Sequence, residues 1–204
     1  MRPKLKICGM RFPANIEEVV LLKPDYLGFI FYEQSKRYIA DLSPQFLTSL
    51  QGVNKVGVFV NDSIDRIKSA VDSYGLQAIQ LHGDESPAFI ESLKELEVSL
   101  IKAFGVSKCF DWSRLDAYDA LVDYFLFDTK SENYGGTGKG FDWSLLENYT
   151  LDKPFFLSGG LSPDNVEEAL SLADHRLYAI DVNSRFEKSP GLKDLSLLQS
   201  VFCR

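Results

Sequence analysis

Polar residues recur near the ends of short apolar segments in this chain, and several of them stand two positions apart. The spaced pairs are Lys6 with Cys8, Gln80 with His82, and Asp181 with Asn183. Alternate residues of a β-strand face the same side, so each pair presents two polar groups to one surface. Lone polar residues of the same kind are Lys102 and Asp128. Thiol, imidazole and carboxyl groups exchange protons with bound molecules, so their convergence would make an acid–base active site.

Each of these residues also has a purely structural explanation. A buried cysteine such as Cys8 usually packs as a small apolar group. A lysine such as Lys102 can pair with a buried carboxylate, and an aspartate such as Asp128 can cap a loop or a helix. His82 alone is as consistent with a hydrogen-bonded core histidine as with a ligand contact. Their occurrence at five strand ends favours a shared functional site over packing alone.

Eight apolar segments alternate with stretches of helical periodicity. We predict strands near 4–8, 25–31, 55–60, 77–81, 99–103, 122–127, 154–158 and 177–182. Alternation with helices such as SPAFIESLKEL and SPDNVEEALSLA, which both open on Ser-Pro, indicates parallel βαβ units. Eight units predict one α/β domain over residues 1–204, a (β/α)8 TIM barrel with eight parallel strands. A doubly wound open sheet is the alternative. In such barrels the C-terminal strand ends hold the active site.

The composition limits the possible partners and surroundings. The chain has 204 residues and a formal net charge of −7, and its basic residues are scattered, so we expect no nucleic-acid partner. Three widely separated cysteines predict neither a disulfide framework nor a zinc site, and a reducing cytoplasm fits them. No apolar run approaches ~18 residues and no signal peptide is evident, so we expect no membrane segment.

Two glycine-rich stretches predict a site for an anion. The segment 134–140, YGGTGKG, includes Gly136 and Gly138, and the segment 157–166 includes Gly159 and Gly160. Glycines let backbone N–H groups approach a ligand closely, and barrels often bind phosphate in the loops after strands seven and eight. We therefore expect a phosphorylated small-molecule substrate. Phe141 follows Gly140 where a P-loop requires Lys and Ser or Thr, so we expect no nucleotide cofactor.

A set of motifs in one order gives the chain a resemblance to a known family. The motifs are KICGM, GFIF, SKR, VGVFVN, QLHGDE, LFDT, GGTGKGFDW, LSGGLSPDNV and IDVNSRFE. Together they cover nearly the whole chain, and they resemble phosphoribosylanthranilate isomerase. The resemblance implies a (β/α)8 barrel of tryptophan biosynthesis that uses no cofactor. It also implies an Amadori rearrangement of N-(5'-phosphoribosyl)anthranilate to 1-(2-carboxyphenylamino)-1-deoxyribulose 5-phosphate.

The resemblance also implies roles for individual residues. Cys8 of KICG takes the place of the catalytic base, and Asp128 of FDT that of the acid. Arg37 would contact the anthranilate carboxylate, and His82 and Asp181 would line the substrate pocket. The last two loops would hold the phosphate through Gly159, Gly160, Asn183 and Ser184. Supporting positions are Lys6, Gln80, Lys102, Gly136 and Gly138. We expect Lys6 to favour the thiolate form of Cys8.

Two departures from the family pattern stand out. Lys36 replaces a proline before Arg37, which would loosen that loop. Arg185 stands where the family has glycine, so a backbone phosphate contact there requires Arg185 to adopt the conformation of glycine. We expect a monomer or a weak homodimer. The alternatives are another phosphosugar-binding barrel and a non-catalytic phosphate-binding barrel.

Overall fold

Eight parallel strands close a barrel in the computed structural model, which describes residues 2–40, 42–129 and 142–202. The strands run in sequence order around the barrel, and β1 pairs with β8 to close it. They are β1 (Lys4–Ile7), β2 (Tyr26–Ile30), β3 (Asn54–Phe59), β4 (Ala78–Leu81), β5 (Ser99–Val106), β6 (Tyr124–Thr129), β7 (Phe155–Leu157) and β8 (Leu177–Val182). The predicted (β/α)8 barrel is confirmed, and the open sheet is excluded.

Helices on the outside connect successive strands. They are α1 (Pro13–Val20), α2 (Pro44–Ser49), α3 (Ile64–Tyr74), α4 (Pro87–Glu91), α5 (Asp116–Asp119), α6 (Val166–Leu170) and α7 (Leu195–Phe202). Ser86 caps α4, because its hydroxyl accepts a hydrogen bond from the N–H of Phe89 and Pro87 takes the first helical position. The expectation that a helix also begins at Ser162 and Pro163 is wrong. The side chain of Asn165 accepts from the N–H of Ser162, which makes a turn there, and α6 starts only at Val166.

Apolar residues form two separate cores, one inside the barrel and one between the sheet and the helices. Leu5 and Ile7 belong to the outer core, so the intervening Lys6 faces the barrel interior. The interior floor is aromatic: Tyr26, Tyr124 and Tyr178 pack around Phe156 at the N-terminal strand ends. The polar groups of β1, β4, β6 and β8 lie nearer the C-terminal strand ends.

A short antiparallel hairpin follows the last barrel strand. A 3-10 turn, Ser184–Phe186, leads into β9 (Glu187–Ser189), which pairs with β10 (Leu192–Lys193). Gly191 has a φ of 85°, a left-handed conformation that suits glycine at the tight turn of the hairpin. The hairpin brings Glu187 and Lys193 beside β1 and the loop after β2. In the described part of the chain, no helix has the length and apolar character needed to cross a membrane.

Candidate active site

A buried ion pair lies at the centre of the barrel. The Nζ of Lys6 donates to Oδ2 of Asp181 at 2.6 Å and to Oε1 of Gln80 at 2.8 Å. The Lys6 side chain is fully buried and that of Asp181 is 4 % exposed. Burial lowers the pKa of Lys6, but Asp181 and Cys8 together outweigh this effect, so the net pKa is raised and the ammonium stays charged.

The polar contacts continue from this pair to the barrel mouth. The Nε2 of Gln80 lies 2.7 Å from Nδ1 of His82, which is two residues further along the same face. The Nε2 of His82 lies 3.5 Å from Oδ2 of Asp128, at the end of β6. The His82 and Asp128 side chains are 36 % and 30 % exposed, so a ligand entering the mouth can reach both.

Cys8 lies directly after β1 and is buried beside Gly28 of β2. A Cβ atom built on Gly28 would lie 2.7 Å from the Cys8 Sγ and 3.1 Å from its Cα. Burial raises the pKa of the Cys8 thiol, although Lys6 and Lys193 act to lower it. Lys6 therefore acts in the expected direction and favours the thiolate, but the desolvation of the sulfur outweighs the attraction of the lysine.

Gly28→Ala tests whether the position of the Cys8 sulfur matters. The added methyl group would push against Sγ and the β1 backbone, and we expect kcat/KM to fall on the order of 10-fold to 100-fold. The matched control is Gly57→Ala, where the new Cβ would lie 2.6 Å from Leu76 Cδ1, a residue of the outer core. Both variants should lose about 1–3 kcal/mol of stability by overpacking, and only Gly28→Ala should lose turnover. Full turnover in a folded Gly28→Ala protein would contradict a role for Cys8.

Arg37 is held at the mouth by a carboxylate from the hairpin. Its Nε and Nη2 donate to the two carboxylate oxygens of Glu187 at 2.7–3.0 Å. The Arg37 side chain is 22 % exposed and the Glu187 side chain 3 %. Gly9, with a φ of 75°, leaves space here, because a Cβ on it would lie 2.6 Å from Arg37 Cδ. The Ser35 hydroxyl accepts from the N–H of Arg37 and stabilises the turn that lacks the family's proline.

Lys193 joins the same network from the other strand of the hairpin. Its Nζ donates to Oε1 of Glu187 at 2.7 Å and to Oδ1 of Asn183 at 2.8 Å. The side-chain oxygen of Asn183 is therefore engaged with a lysine, and any phosphate contact from this residue would use its other groups. The network fixes Arg37, Glu187 and the end of β8 relative to one another.

Lys102 lies away from this cluster, and the expectation that it points into the mouth is wrong. Its neighbour Phe104 belongs to the outer core, and the Lys102 Nζ lies 5.2 Å from the centroid of that ring. The Nζ donates to Oε2 of Glu85 at 3.1 Å and to the backbone oxygen of Gly83 at 2.7 Å. Lys102 thus forms a structural ion pair with Glu85, which was the alternative to a role in the active site. This pair connects β5 to the loop after β4.

The glycine-rich loop after β7 has the backbone conformation that an anion site requires. Gly159 and Gly160 have φ values of 85° and 69°, a region that suits glycine. Asn165 fixes this loop by donating from Nδ2 to the backbone oxygen of Gly160. Ser184 is exposed at the start of the turn after β8. Gly136 and Gly138 lie outside the described residues.

Arg185 does not need the conformation of glycine. Among the described residues, the non-glycine positions with positive φ are Lys23 and Asn61. Arg185 instead lies in the 3-10 turn after β8 and is exposed. The substitution of glycine by arginine is therefore free of backbone strain at this position.

Three residues around the site were not predicted from the sequence, namely Gly28, Glu187 and Lys193. Gly28 lies in the motif GFIF and Glu187 in IDVNSRFE. Membership of these motifs was the only indication in the sequence that the two residues belong to the site. Lys193 lies outside every motif. The roles of all three depend on contacts with residues far away in the sequence.

The fold places the chain among the (β/α)8 barrels, with titratable side chains gathered at the C-terminal ends of its strands. The model of one family, described as N-(5'phosphoribosyl)anthranilate (PRA) isomerase, matches residues 5–204. The chain belongs to the phosphoribosylanthranilate isomerase family.

Individual relatives agree with this assignment. The N-(5'-phosphoribosyl)anthranilate isomerase of Parabacteroides distasonis is 45% identical over 199 residues, which cover 96% of this chain and 90% of the relative. The crystal structure of phosphoribosyl anthranilate isomerase from Thermotoga maritima has 38% identity and a TM-score of 0.84, over 97% of this chain and 96% of that one. A structure of such an isomerase with reduced 1-(o-carboxyphenylamino)-1-deoxyribulose 5-phosphate has 34% identity and a TM-score of 0.81, over 98% and 96%.

Proposed function

We propose that the chain isomerises N-(5'-phosphoribosyl)anthranilate to 1-(2-carboxyphenylamino)-1-deoxyribulose 5-phosphate, with Cys8 as general base and Asp128 as general acid. One observation carries the assignment of roles: both residues surround the same buried ion pair. The charges of Lys6 and Asp181 act on the pKa of Cys8, and the charge of Asp128 acts on the pKa of Asp181. A small sugar derivative seated over this pair can therefore reach a thiol and a carboxyl group at once.

The reaction divides into two proton transfers. Asp128 gives a proton to the oxygen of the ribose ring, the bond between that oxygen and carbon one breaks, and the nitrogen lone pair forms an iminium ion. The thiolate of Cys8 then removes the hydrogen from carbon two. The electrons of that C–H bond form the double bond between carbons one and two and neutralise the nitrogen. The resulting enolamine becomes the ketone when its hydroxyl group on carbon two loses a proton and carbon one gains one.

Arg37 is the group that we assign to the anthranilate carboxylate. Its guanidinium is held by Glu187 and remains partly exposed at the mouth, and Gly9 leaves space for the Arg37 side chain. A planar guanidinium that is already oriented loses little freedom when it binds a carboxylate. The bound molecule in the related structure carries such a carboxylate, as its name states.

Asp181 and the last two loops are assigned to the sugar and its phosphate. Oδ1 of Asp181 is one of two buried side-chain polar atoms in the described residues without a hydrogen-bond partner, and it can accept from a substrate hydroxyl. The backbone N–H groups of Gly159 and Gly160, with the exposed Ser184 and the backbone of Asn183, are our candidates for the phosphate. His82 lines the pocket between Gln80 and Asp128.

The raised pKa of Cys8 predicts that its thiolate forms only in alkaline solution. Burial raises the pKa of the thiol above its ordinary value of 9.0, so the thiolate is scarce at neutral pH. The difference in ultraviolet thiolate absorbance between the wild-type protein and Cys8→Ser should therefore rise only above about pH 9. The same difference measured with Cys109→Ser added to both proteins, which removes an exposed thiol, should show the same rise. A Cys8 thiolate that is half formed below about pH 8 would contradict the raised pKa.

The decisive experiment for the proposed function is turnover of freshly generated phosphoribosylanthranilate. We expect the purified protein to remove anthranilate-type fluorescence and to form the deoxyribulose product identified by mass. The analogue without phosphate should be converted with a greatly raised KM. An inactive protein with intact circular dichroism would overturn the proposal and favour a non-catalytic phosphate-binding barrel.

We also infer a single cooperative domain over 1–204, a monomer or weak homodimer, and a cytoplasmic location. The described residues expose few large apolar side chains, notably Phe12 and Leu21, which supports a monomer or a weak dimer. The free thiols of Cys8 and Cys109 suit a reducing compartment. Sedimentation across a range of concentrations tests the monomer or weak homodimer, which a stable tetramer would contradict. A single calorimetric transition would support a single cooperative domain.

A further inference from the structure

Two hydrogen bonds and one longer contact connect the buried ion pair to the candidate acid. The line runs from Lys6 Nζ to Gln80 Oε1 at 2.8 Å, then from Gln80 Nε2 to His82 Nδ1 at 2.7 Å. From His82 Nε2 it continues to Asp128 Oδ2 at 3.5 Å. All four side chains come from three strands that face the barrel interior. The line therefore joins the fully buried centre to a partly exposed carboxylate.

The chemistry of Lys6 sets the direction of every bond in this line. An ammonium group only donates, so the atom of Gln80 that faces Lys6 must be its amide oxygen. The NH2 group of the same amide must then face His82, and an NH2 group also only donates. Nδ1 of His82 is consequently an acceptor without a proton. In the neutral imidazole the single proton is left on Nε2, the atom that faces Asp128.

The reverse arrangement conflicts with the ion pair. A flipped Gln80 amide would set its NH2 group 2.8 Å from the Lys6 ammonium, two donors facing each other in a buried site. Lys6 keeps its charge because the Asp181 carboxylate raises its pKa. The orientation of Gln80 is thus fixed by a charge that the fold holds in place.

We propose that Gln80 is a positioning residue that fixes His82 in the Nε2–H tautomer, so that His82 donates to the carboxylate of Asp128. This rests on the proposed role of Asp128 as general acid. When Asp128 gives its proton to the ring oxygen of the substrate, the Nε2–H of His82 stabilises the carboxylate that remains. The same hydrogen bond holds the carboxyl group in one orientation before transfer.

The tautomer can be observed directly, because the chain contains two histidines. In protein labelled with 15N-histidine, long-range 1H–15N correlation at a pH where imidazole is neutral distinguishes a protonated Nε2 from a protonated Nδ1. His175, which is exposed, is the internal reference, and His175→Gln assigns the two sets of signals. We expect His82 to show the Nε2–H form in the wild-type protein. A dominant Nδ1–H form, or the mixture of a free imidazole, overturns the proposal without any variant at Gln80.

Two variants of Gln80 connect the tautomer to the rate. Gln80→Met removes the amide at nearly constant size. His82 should then show the mixture of tautomers of a free imidazole, and kcat should fall at least about tenfold with little change in KM. Proton transfer by a positioned group contributes about 10²–10⁴-fold, and loss of orientation forfeits part of that. Gln80→Glu keeps a carboxylate oxygen as the acceptor for Lys6. Its second oxygen faces Nδ1 of His82 and can only accept, so His82 should carry a proton on Nδ1. Unchanged kcat in Gln80→Met overturns the proposal.

The failure of this inference differs from the failure of the proposed function. If Asp128→Asn loses turnover while Gln80→Met keeps it, the positioning role is wrong and the acid remains. If Asp128→Asn keeps full turnover, the acid role is wrong, and the positioning role is overturned with it.

Discussion

Cys8→Ser and Asp128→Asn each lose at least about 100-fold in kcat, the size expected when a positioned proton-transfer group is removed. Both substitutions nearly preserve side-chain size, so the buried packing around Sγ and the contact of Asp128 with His82 change little. Serine is too weak an acid to supply a base at neutral pH, and asparagine has no carboxyl proton to give. Single-turnover kinetics with phosphoribosylanthranilate measures the loss directly.

The double variant separates two mechanisms. In the proposed sequence Asp128 acts in ring opening and Cys8 in proton removal from carbon two. Because these are successive steps, the double variant should be about as slow as the slower single variant. Losses that multiply would instead show that the two groups stabilise one transition state independently of each other. A rate near the product of the two single losses would contradict the assignment to separate steps.

Matched controls exclude a general effect of the substitutions. Cys109→Ser changes an exposed thiol, and Asp111→Asn changes an exposed aspartate that caps a 3-10 turn by accepting from the N–H of Ser113. Neither should alter kcat, and Asp111→Asn should change stability little, because asparagine keeps the oxygen that accepts at the cap. Retention of more than about a third of wild-type kcat by Cys8→Ser would rule out the thiolate as the base.

Much of the fold could be predicted because the strands of a parallel barrel are covered on both faces. Their continuous apolar runs located all eight strands to within a few residues. The helices were less predictable. Between β5 and β6 the chain forms the 3-10 turn Trp112–Leu115 and the single turn of α5, because aromatic packing by Trp112 rather than helical periodicity holds that segment.

Paired residues make up most of the predicted cluster that the structure brings together at the centre of the barrel. Lys6 with Cys8 and Gln80 with His82 stand two apart, and period-two alternation places each pair on one face whatever the register. Lys102 has no polar partner two positions away, so spacing did not show which face of β5 it occupies. In the structure it shares the outer face with Phe104, whereas Ile101 faces the barrel interior. Its partner Glu85 comes from another loop and gave no local signal.

The residues that orient Arg37 could not be predicted from local patterns. Glu187 is 150 positions away from Arg37 along the chain, and the contact exists only because the hairpin folds back against the loop between β1 and α1. Lys193 lies outside the regular barrel units. Contacts between loops at opposite ends of a sequence follow from barrel closure, which spacing rules do not describe.

Lys6→Met should be among the most destabilising substitutions in the chain, with a loss of about 3–5 kcal/mol. The variant leaves the Asp181 carboxylate 5 % exposed and without its cation, and Gln80 loses the donor that orients it. The loss arises from the uncompensated buried charge more than from the missing hydrogen bond. Urea unfolding followed by circular dichroism at pH 7 measures it.

Lys55→Met is the matched control, and a double variant identifies the cause. Lys55 is also buried, but its Nζ donates to the backbone oxygen of Leu47, so no carboxylate is left behind; we expect a change of about 1 kcal/mol or less. Adding Asp181→Leu to Lys6→Met removes the stranded charge and should restore at least about half of the lost stability. If the second substitution makes the protein still less stable, the ion pair is not what limits the single variant.

The pH dependence of the same variants provides an independent test. The pKa of Lys6 in the folded protein lies above its ordinary value of 10.5, because Asp181 and Cys8 together outweigh the effect of burial. The stabilisation from Lys6 is therefore fully present below pH 10.5 and is lost as the pH rises through the folded pKa. The stability difference between wild type and Lys6→Met should be constant from pH 7 to 10 and shrink at higher pH. A difference that shrinks already between pH 7 and 9 would show that the folded pKa of Lys6 is lowered.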